Sequence, residues 1–180
     1  MKRLNQLSMV ASLLFTFTFA TFAQASDNNK FPSIKGTNLN GKKYNIPEDM
    51  KAKYNLLLVA FKREHQKSVN TWLPLASELS KKYKDFKSYE VPVLASGYGL
   101  VRGFIDGGMR SGIPDKKTRE HTITAYIPKD DFLKSLNLAD DSNIHVFLLN
   151  DKGVIIWKAD GEMNATNKLS AEKFMSEQKK

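Results

Sequence analysis

The chain has 180 residues, a formal net charge of +9 and no cysteine. That composition excludes a thiol peroxidase, a dithiol oxidoreductase and a thiolate metal site, each of which needs sulfur as nucleophile or ligand. The lysines are spread from Lys35 to the tail Lys179-Lys180 without an arginine-rich block or interleaved aromatics, so the basic balance reads as a solvated surface open to anionic lipid or an acidic partner, and not as a nucleic-acid footprint.

Lys2 and Arg3 precede an apolar core from Met9 to Phe22, and Ala23-Gln24-Ala25 has the small-x-small form of a cleavage site. The apolar core is shorter than the roughly 20 residues that span a bilayer. Residues 1–25 are therefore expected to be a secretory signal, cleaved near Ala25, that sends the protein to the periplasm or outside the cell; a retained membrane anchor is the alternative. Residues 26–180 are then one domain, and losing Lys2 and Arg3 lowers the charge from +9 to +7. An oxidising compartment permits disulfides without requiring them, so the missing cysteines restrict mechanism and not location.

Along the mature chain, Phe31 to Gly36 reads as an opening strand, and Asn38 to Tyr44 as a hairpin turning at Asn40-Gly41. After a loop at Pro47 to Met50, Asn55-Leu-Leu-Leu-Val-Ala-Phe61 is almost unbroken apolar, the mark of a central strand buried on both faces. From Gln66 to Tyr83 the period changes. Val69, Trp72, Leu73, Ala76, Leu79 and Tyr83 form one helical stripe, which Pro74 interrupts and should kink.

Tyr89 to Ala95 is a second strand, and Tyr98 to Met109 a weak helix in which Leu100, Val101, Phe104, Ile105 and Met109 keep the period. Its Gly103, Gly107 and Gly108 each cost about 1 kcal/mol relative to alanine. Ser111 to Glu120 reads as a basic loop, His121 to Ile127 as a strand, and Lys129 to Leu136 as a short helix. Ile144 to Asn150 and Val154 to Trp157 make a hairpin across Asp151-Lys152-Gly153, and Leu169 to Met175 is a final helix. Strands alternating with helices, closed by a hairpin and a helix, predict a three-layer α/β sandwich: a central mixed sheet with helices on both faces.

An apolar strand ending in Phe61, a short turn, and a helix with Pro74 in it resemble the thioredoxin fold. So do the Phe-Pro start with its Leu-x-Gly-Lys hairpin, and Phe147-Leu148-Leu149-Asn150-Asp151-Lys152-Gly153. The additional strand and helix before the last hairpin make the likeness peroxiredoxin-like. With Phe61 and Pro74 as anchors, the resemblance places the two cysteines of the redox pair at Gln66 and Val69, and the family's cis proline at Ile144. All three hallmarks are absent. A narrower set, Phe31-Pro32, Trp72 and Ile155-Ile156-Trp157 before Gly161, resembles the C-terminal domain of the mitochondrial ATP synthase assembly factor family, which implies a chaperone or assembly role on a membrane complex.

Lys62, Arg63, His65 and Gln66 stand at the start of the long helix, where free amides and the dipole favour anions. With Arg102, Arg110, Arg119 and His121 they are candidates for a cationic pocket holding a carboxylate or phosphate; the alternative is a solvated turn and unrelated loop arginines. Glu64, His65, His121 and His145 are ligand types without metal-site spacing, so no metal is expected. His145 fits a satisfied core histidine, and Trp72 and Trp157 fit the core. Gly97-Tyr-Gly99-Leu-Val-Arg-Gly103 has the wrong spacing and position for a dinucleotide loop, and no Gly-x-Ser-x-Gly is present. No cofactor is expected.

These observations describe an exported, thioredoxin-like protein without thiol chemistry, acting as a binding protein, adaptor or assembly chaperone on a periplasmic or membrane protein. The alternative is a cysteine-free enzyme, or a binder of a small anionic ligand or metal, using an Arg/His pocket at the former redox site. An enzyme requires charged groups converging in a deep pocket, whereas an adaptor requires an exposed apolar patch ringed by basic residues.

Overall fold

The computed structural model describes residues 29–178; the expected secretory signal at residues 1–25 lies outside them. Among the described residues a seven-stranded mixed sheet runs in the order β2-β1-β5-β4-β3-β6-β7. Its centre is β3 (Tyr54–Ala60), with six consecutive buried residues. This strand pairs parallel with β4 (Phe86–Ala95) and antiparallel with β6 (His145–Leu149). Interior strands carry apolar residues on both sides because helices cover both faces. Leu56 and Leu58 pack with Val69, Trp72, Leu75, Leu79 and Met175, and Leu57 and Val59 pack on the opposite face with Phe31, Phe132 and Phe147.

β1 (Ile34–Asn38) and β2 (Lys43–Ile46) form the predicted hairpin around Gly41, whose φ of +91° places it in the left-handed region. The opening strand and the first arm of that hairpin are one strand. β1 also pairs antiparallel with β5 (Ile123–Ile127), which is parallel to β4. At the other edge β7 (Ile155–Asp160) turns back on β6. Gly153 in that turn has φ +76°, and a β-carbon there would stand 2.4 Å from Cγ of Pro47. The Asn150-Asp151-Lys152-Gly153 turn thus packs the last hairpin against the loop after β2.

The long helix, α1 (Gln66–Lys82), contains Pro74 and is continuous across it. Its buried stripe is Val69, Trp72, Leu75, Ala76 and Leu79. Leu73, expected within the stripe, is exposed, and Leu75 takes its place because the seam follows i, i+3 and i+4 steps from Trp72. The Tyr98–Met109 helix is corrected to a 3-10 turn, Ser96–Val101, followed by α2 (Arg102–Gly112). The loop expected over 111–120 contains α3 (Lys116–His121), capped by Asp115, whose side chain accepts from the amide of Thr118 at 2.6 Å. α4 (Lys129–Ser135) and α5 (Ala165–Glu177) complete the helices among the described residues. Trp157 is only partly buried; it meets Trp72 edge-on at 6.1 Å and donates to Ser170.

Candidate functional site

The carboxyl ends of β3, β4 and β5 and the amino end of β6 lie at one edge of the sheet, because the first three strands are parallel and β6 is antiparallel. Chain leaving the sheet here supplies residues 61–66, the 3-10 turn into α2, the start of α4 and the segment before His145. At this end Lys62 Nζ lies 2.9 Å from Asp141 Oδ1, and Lys129 pairs with the other oxygen of the same carboxylate. The hydrogen bonds from Lys129 and then Lys62 draw the Asp141 carboxyl down to about 2. Asp141 therefore neutralises a cation that the sequence assigned to anion capture.

The neighbouring positions are tied down as well. His65 is buried and its Nδ1 accepts from the amide of Phe61. The Gln66 amide, standing where the resemblance places a thiol, donates to Asn70 and reaches Glu90 at 3.4 Å. Val69 and Ile144 are fully buried, and the Ile144 carbonyl accepts from Gly161. Trp72 donates its indole N–H to Gly161 at 2.9 Å, so α1 is fastened to the segment after β7. His145, buried beside Phe61, engages Asp160 through Nδ1 and the Asp140 carbonyl through Nε2, a satisfied histidine. Arg63 is exposed on the turn.

The eight expected pocket residues do not gather in one place. Arg102 stacks on Tyr126, 5.0 Å from its ring centre, and pairs with Asp106, which also accepts from the Tyr126 hydroxyl. Arg110 donates to the Leu39 carbonyl, and Arg119 donates to Asn40 and to the carbonyls of Ile113 and Pro114, so both serve the β1–β2 turn. That turn meets the amino end of β5, the opposite end from Lys62. His121 lies against Tyr89, with burial and then Lys87 and Lys117 pushing its pKa down while Glu120 opposes them. Among the described residues no group of three or more His, Asp or Glu side chains is arranged to hold a metal.

What projects from this end is apolar. Leu100 is 100 % and Phe104 87 % exposed, and Tyr98 and Val101 join them on the 3-10 turn and the first turn of α2. Nothing on α2 is fully buried. The cations around the patch are engaged internally, Arg102 with Asp106 and Lys62 and Lys129 with Asp141. Tyr98 is close enough to Lys129 to act on its ionisation. The patch therefore offers apolar area whose neighbouring cations Arg102, Lys62 and Lys129 each contact a carboxylate.

The model of the family described as ATP10 protein matches residues 14–176 of the sequence. The chain belongs to the ATP10 protein family. Solved structures resembling this ATP10-family chain are thioredoxin-like. A thiol:disulfide interchange protein from Bacteroides sp. is 24 % identical over 82 % of this chain and 89 % of its own, with a TM-score of 0.52. BsSco, of the Sco family of cytochrome c oxidase assembly proteins, is 13 % identical over 83 % and 93 %, with a TM-score of 0.54. A protein from Aquifex aeolicus VF5 described as an electron transfer protein is 14 % identical over 82 % and 95 %, with a TM-score of 0.59. At such identities the likeness carries the fold and not the activity. No curated protein matches the sequence.

The ATP10-family chain thus keeps a thioredoxin-like frame with no sulfur at the position of the redox pair. Sequence reasoning missed Asp141, the patch, and Glu90. Glu90 had left a signal, a charge inside the apolar strand Tyr89 to Ala95. The patch had left one too, since five glycines between Gly97 and Gly108 make a poor packing helix of its apolar residues.

Proposed function

We propose that this ATP10-family protein is an exported assembly factor without thiol chemistry that holds an apolar surface of a membrane-protein partner on Tyr98, Leu100, Val101 and Phe104. In this reading residues 1–25 are removed on export and residues 26–180 act as one domain at the membrane surface. The observation that carries it is the exposed cluster itself, since contiguous apolar projections ask for a partner. Two other facts support it. Lys62, Arg102, Arg110 and Arg119 are spent on internal partners, which argues against an anion-handling enzyme, and the BsSco structure is described as belonging to a family of assembly proteins. The redox end of the fold then serves as a rigid mount, with Trp72, Gly161 and Ile144 fastening the segments around it.

Burying Leu100 and Phe104 against a partner is worth about 2 kcal/mol each, so Leu100→Ser with Phe104→Ser should weaken capture roughly a thousandfold. Because both side chains are already in water, the double variant keeps its stability within about 0.5 kcal/mol. The test is affinity capture from solubilised membranes of the source cell, with partners identified by mass spectrometry and thermal unfolding measured in parallel. A partner held by the wild type and lost by a fully stable double variant supports the reading; a partner held equally by both refutes the siting.

A further inference from the structure

A second feature lies away from the patch, on the face of the sheet that α1 covers. Between α1 and α3 runs a groove of about 660 Å³ over β4, with Leu58, Ala76 and Phe86 on its floor and wall and Glu90 within it. Glu90 belongs to an interior strand, paired with Leu58 of β3 and bridged to Thr122. Its carboxylate has acceptor capacity for several donors but receives one long hydrogen bond, from Gln66 at 3.4 Å, the outer limit of such a contact. No cation forms an ion pair with it among the described residues. Burial accordingly raises its carboxyl above the usual range, opposed only by Gln66.

The cations lining the groove stand at its rim. Lys87 and Lys117 are exposed. Neither forms an ion pair with Glu90. Glu90 is thus half-buried in the groove without an ion-pair partner among the described residues. A half-buried carboxylate beside Leu58, Ala76 and Phe86, in a groove whose remaining lining is largely polar, complements an alkyl stem that covers the hydrocarbon and a terminal cation that supplies the missing donors.

We propose that the groove between α1 and α3 is a binding site for an alkylammonium or guanidinium chain, such as a lysine or arginine side chain presented by a bound protein or a free alkylamine, with Glu90 as its counter-charge. This site is separate from the apolar patch and does not depend on the reading given to it.

The test titrates 15N-labelled protein with n-hexylamine and with N-acetyl-lysine amide, using hexanoate as the anion of similar shape, and follows backbone amides by NMR. Both amines should give saturable shifts centred on Leu58, Ala76, Glu90 and Thr118, and hexanoate should give none. Binding of n-hexylamine alone assigns the site to free alkylamines; binding of both probes admits side chains of a protein. Glu90→Gln should weaken the amines by about tenfold or more while keeping a dispersed spectrum. A second variant guards against misfolding at a position within the sheet: Ser77→Lys, on the exposed rim, places a tethered ammonium in the groove and should block both probes. Equal binding of hexanoate, unchanged affinity in Glu90→Gln, or absence of saturation by n-hexylamine would overturn the proposal.

Discussion

Asp141→Asn is the sharpest probe of how the carboxyl end of the central parallel strands is held. The carboxylate sits between Lys62 and Lys129, and their hydrogen bonds take its carboxyl from 3.8 to about 2. Unscreened, that difference amounts to about 2.5 kcal/mol. The Lys62 and Asp141 side chains are 46 % and 21 % exposed, and water reduces the contribution to about 1 kcal/mol. The sign follows from the depressed value. The folded chain holds the charged form to lower pH than the unfolded chain, so the stabilisation is complete above pH 4 and is lost as pH falls from about 4 to about 2. Urea unfolding at neutral pH should therefore show the variant about 1 kcal/mol less stable, with the difference closing near pH 2. A variant equal to wild type at neutral pH, or a gap that persists at pH 2, would refute the reasoning.

Trp72→Phe deletes the indole bond to Gly161 and part of a fully buried volume; urea unfolding should show a loss of roughly 2–3 kcal/mol, and a loss below about 0.5 kcal/mol would mean the α1 fastening is unimportant. Gly153→Ala forces a side chain into φ +76° and against Pro47, for a cost of about 2 kcal/mol or more, read as a lower melting temperature. Glu90→Gln has the reverse pH sense to Asp141: the raised carboxyl contributes stability below the usual carboxylate range and loses it as pH rises through the folded value, so the amide should gain in melting temperature relative to wild type at pH 8 and not at pH 4. Capture of the partner through the patch should change little between about 0.05 and about 0.5 M salt, since the nearby cations are internally paired; a steep loss would mark an electrostatic interface instead.

The sheet was legible because burial writes itself into period. The almost unbroken apolar run Asn55 to Phe61 has the length and content of a two-sided interior strand, and the step from that run to the spacing of Val69, Trp72, Ala76 and Leu79 marks strand giving way to helix. Short helices were less legible. α3 is held by the Asp115 cap and by Arg119 bonding back to Ile113 and Pro114, contacts that no apolar stripe announces. The site was least legible, because it depends on pairings distant in sequence. Lys62 looks free until Asp141 is folded beside it, and Arg110 looks like a ligand until the Leu39 carbonyl meets it. Exposed apolar residues raise the same difficulty. Leu100 and Phe104 have the spacing of a core-facing stripe, and only the position of α2 at the rim of the sheet leaves them uncovered.

The measurement that bears most directly on the account is photo-crosslinking from the patch. Benzoylphenylalanine in place of Phe104, with Lys35 on the distant β1 strand as the control position, is expressed in the source cell and irradiated. The account predicts a discrete adduct with a membrane protein from position 104, absent from position 35 and abolished by Leu100→Ser. Adducts identical at the two positions, or none at position 104 in folded and correctly exported protein, would contradict it.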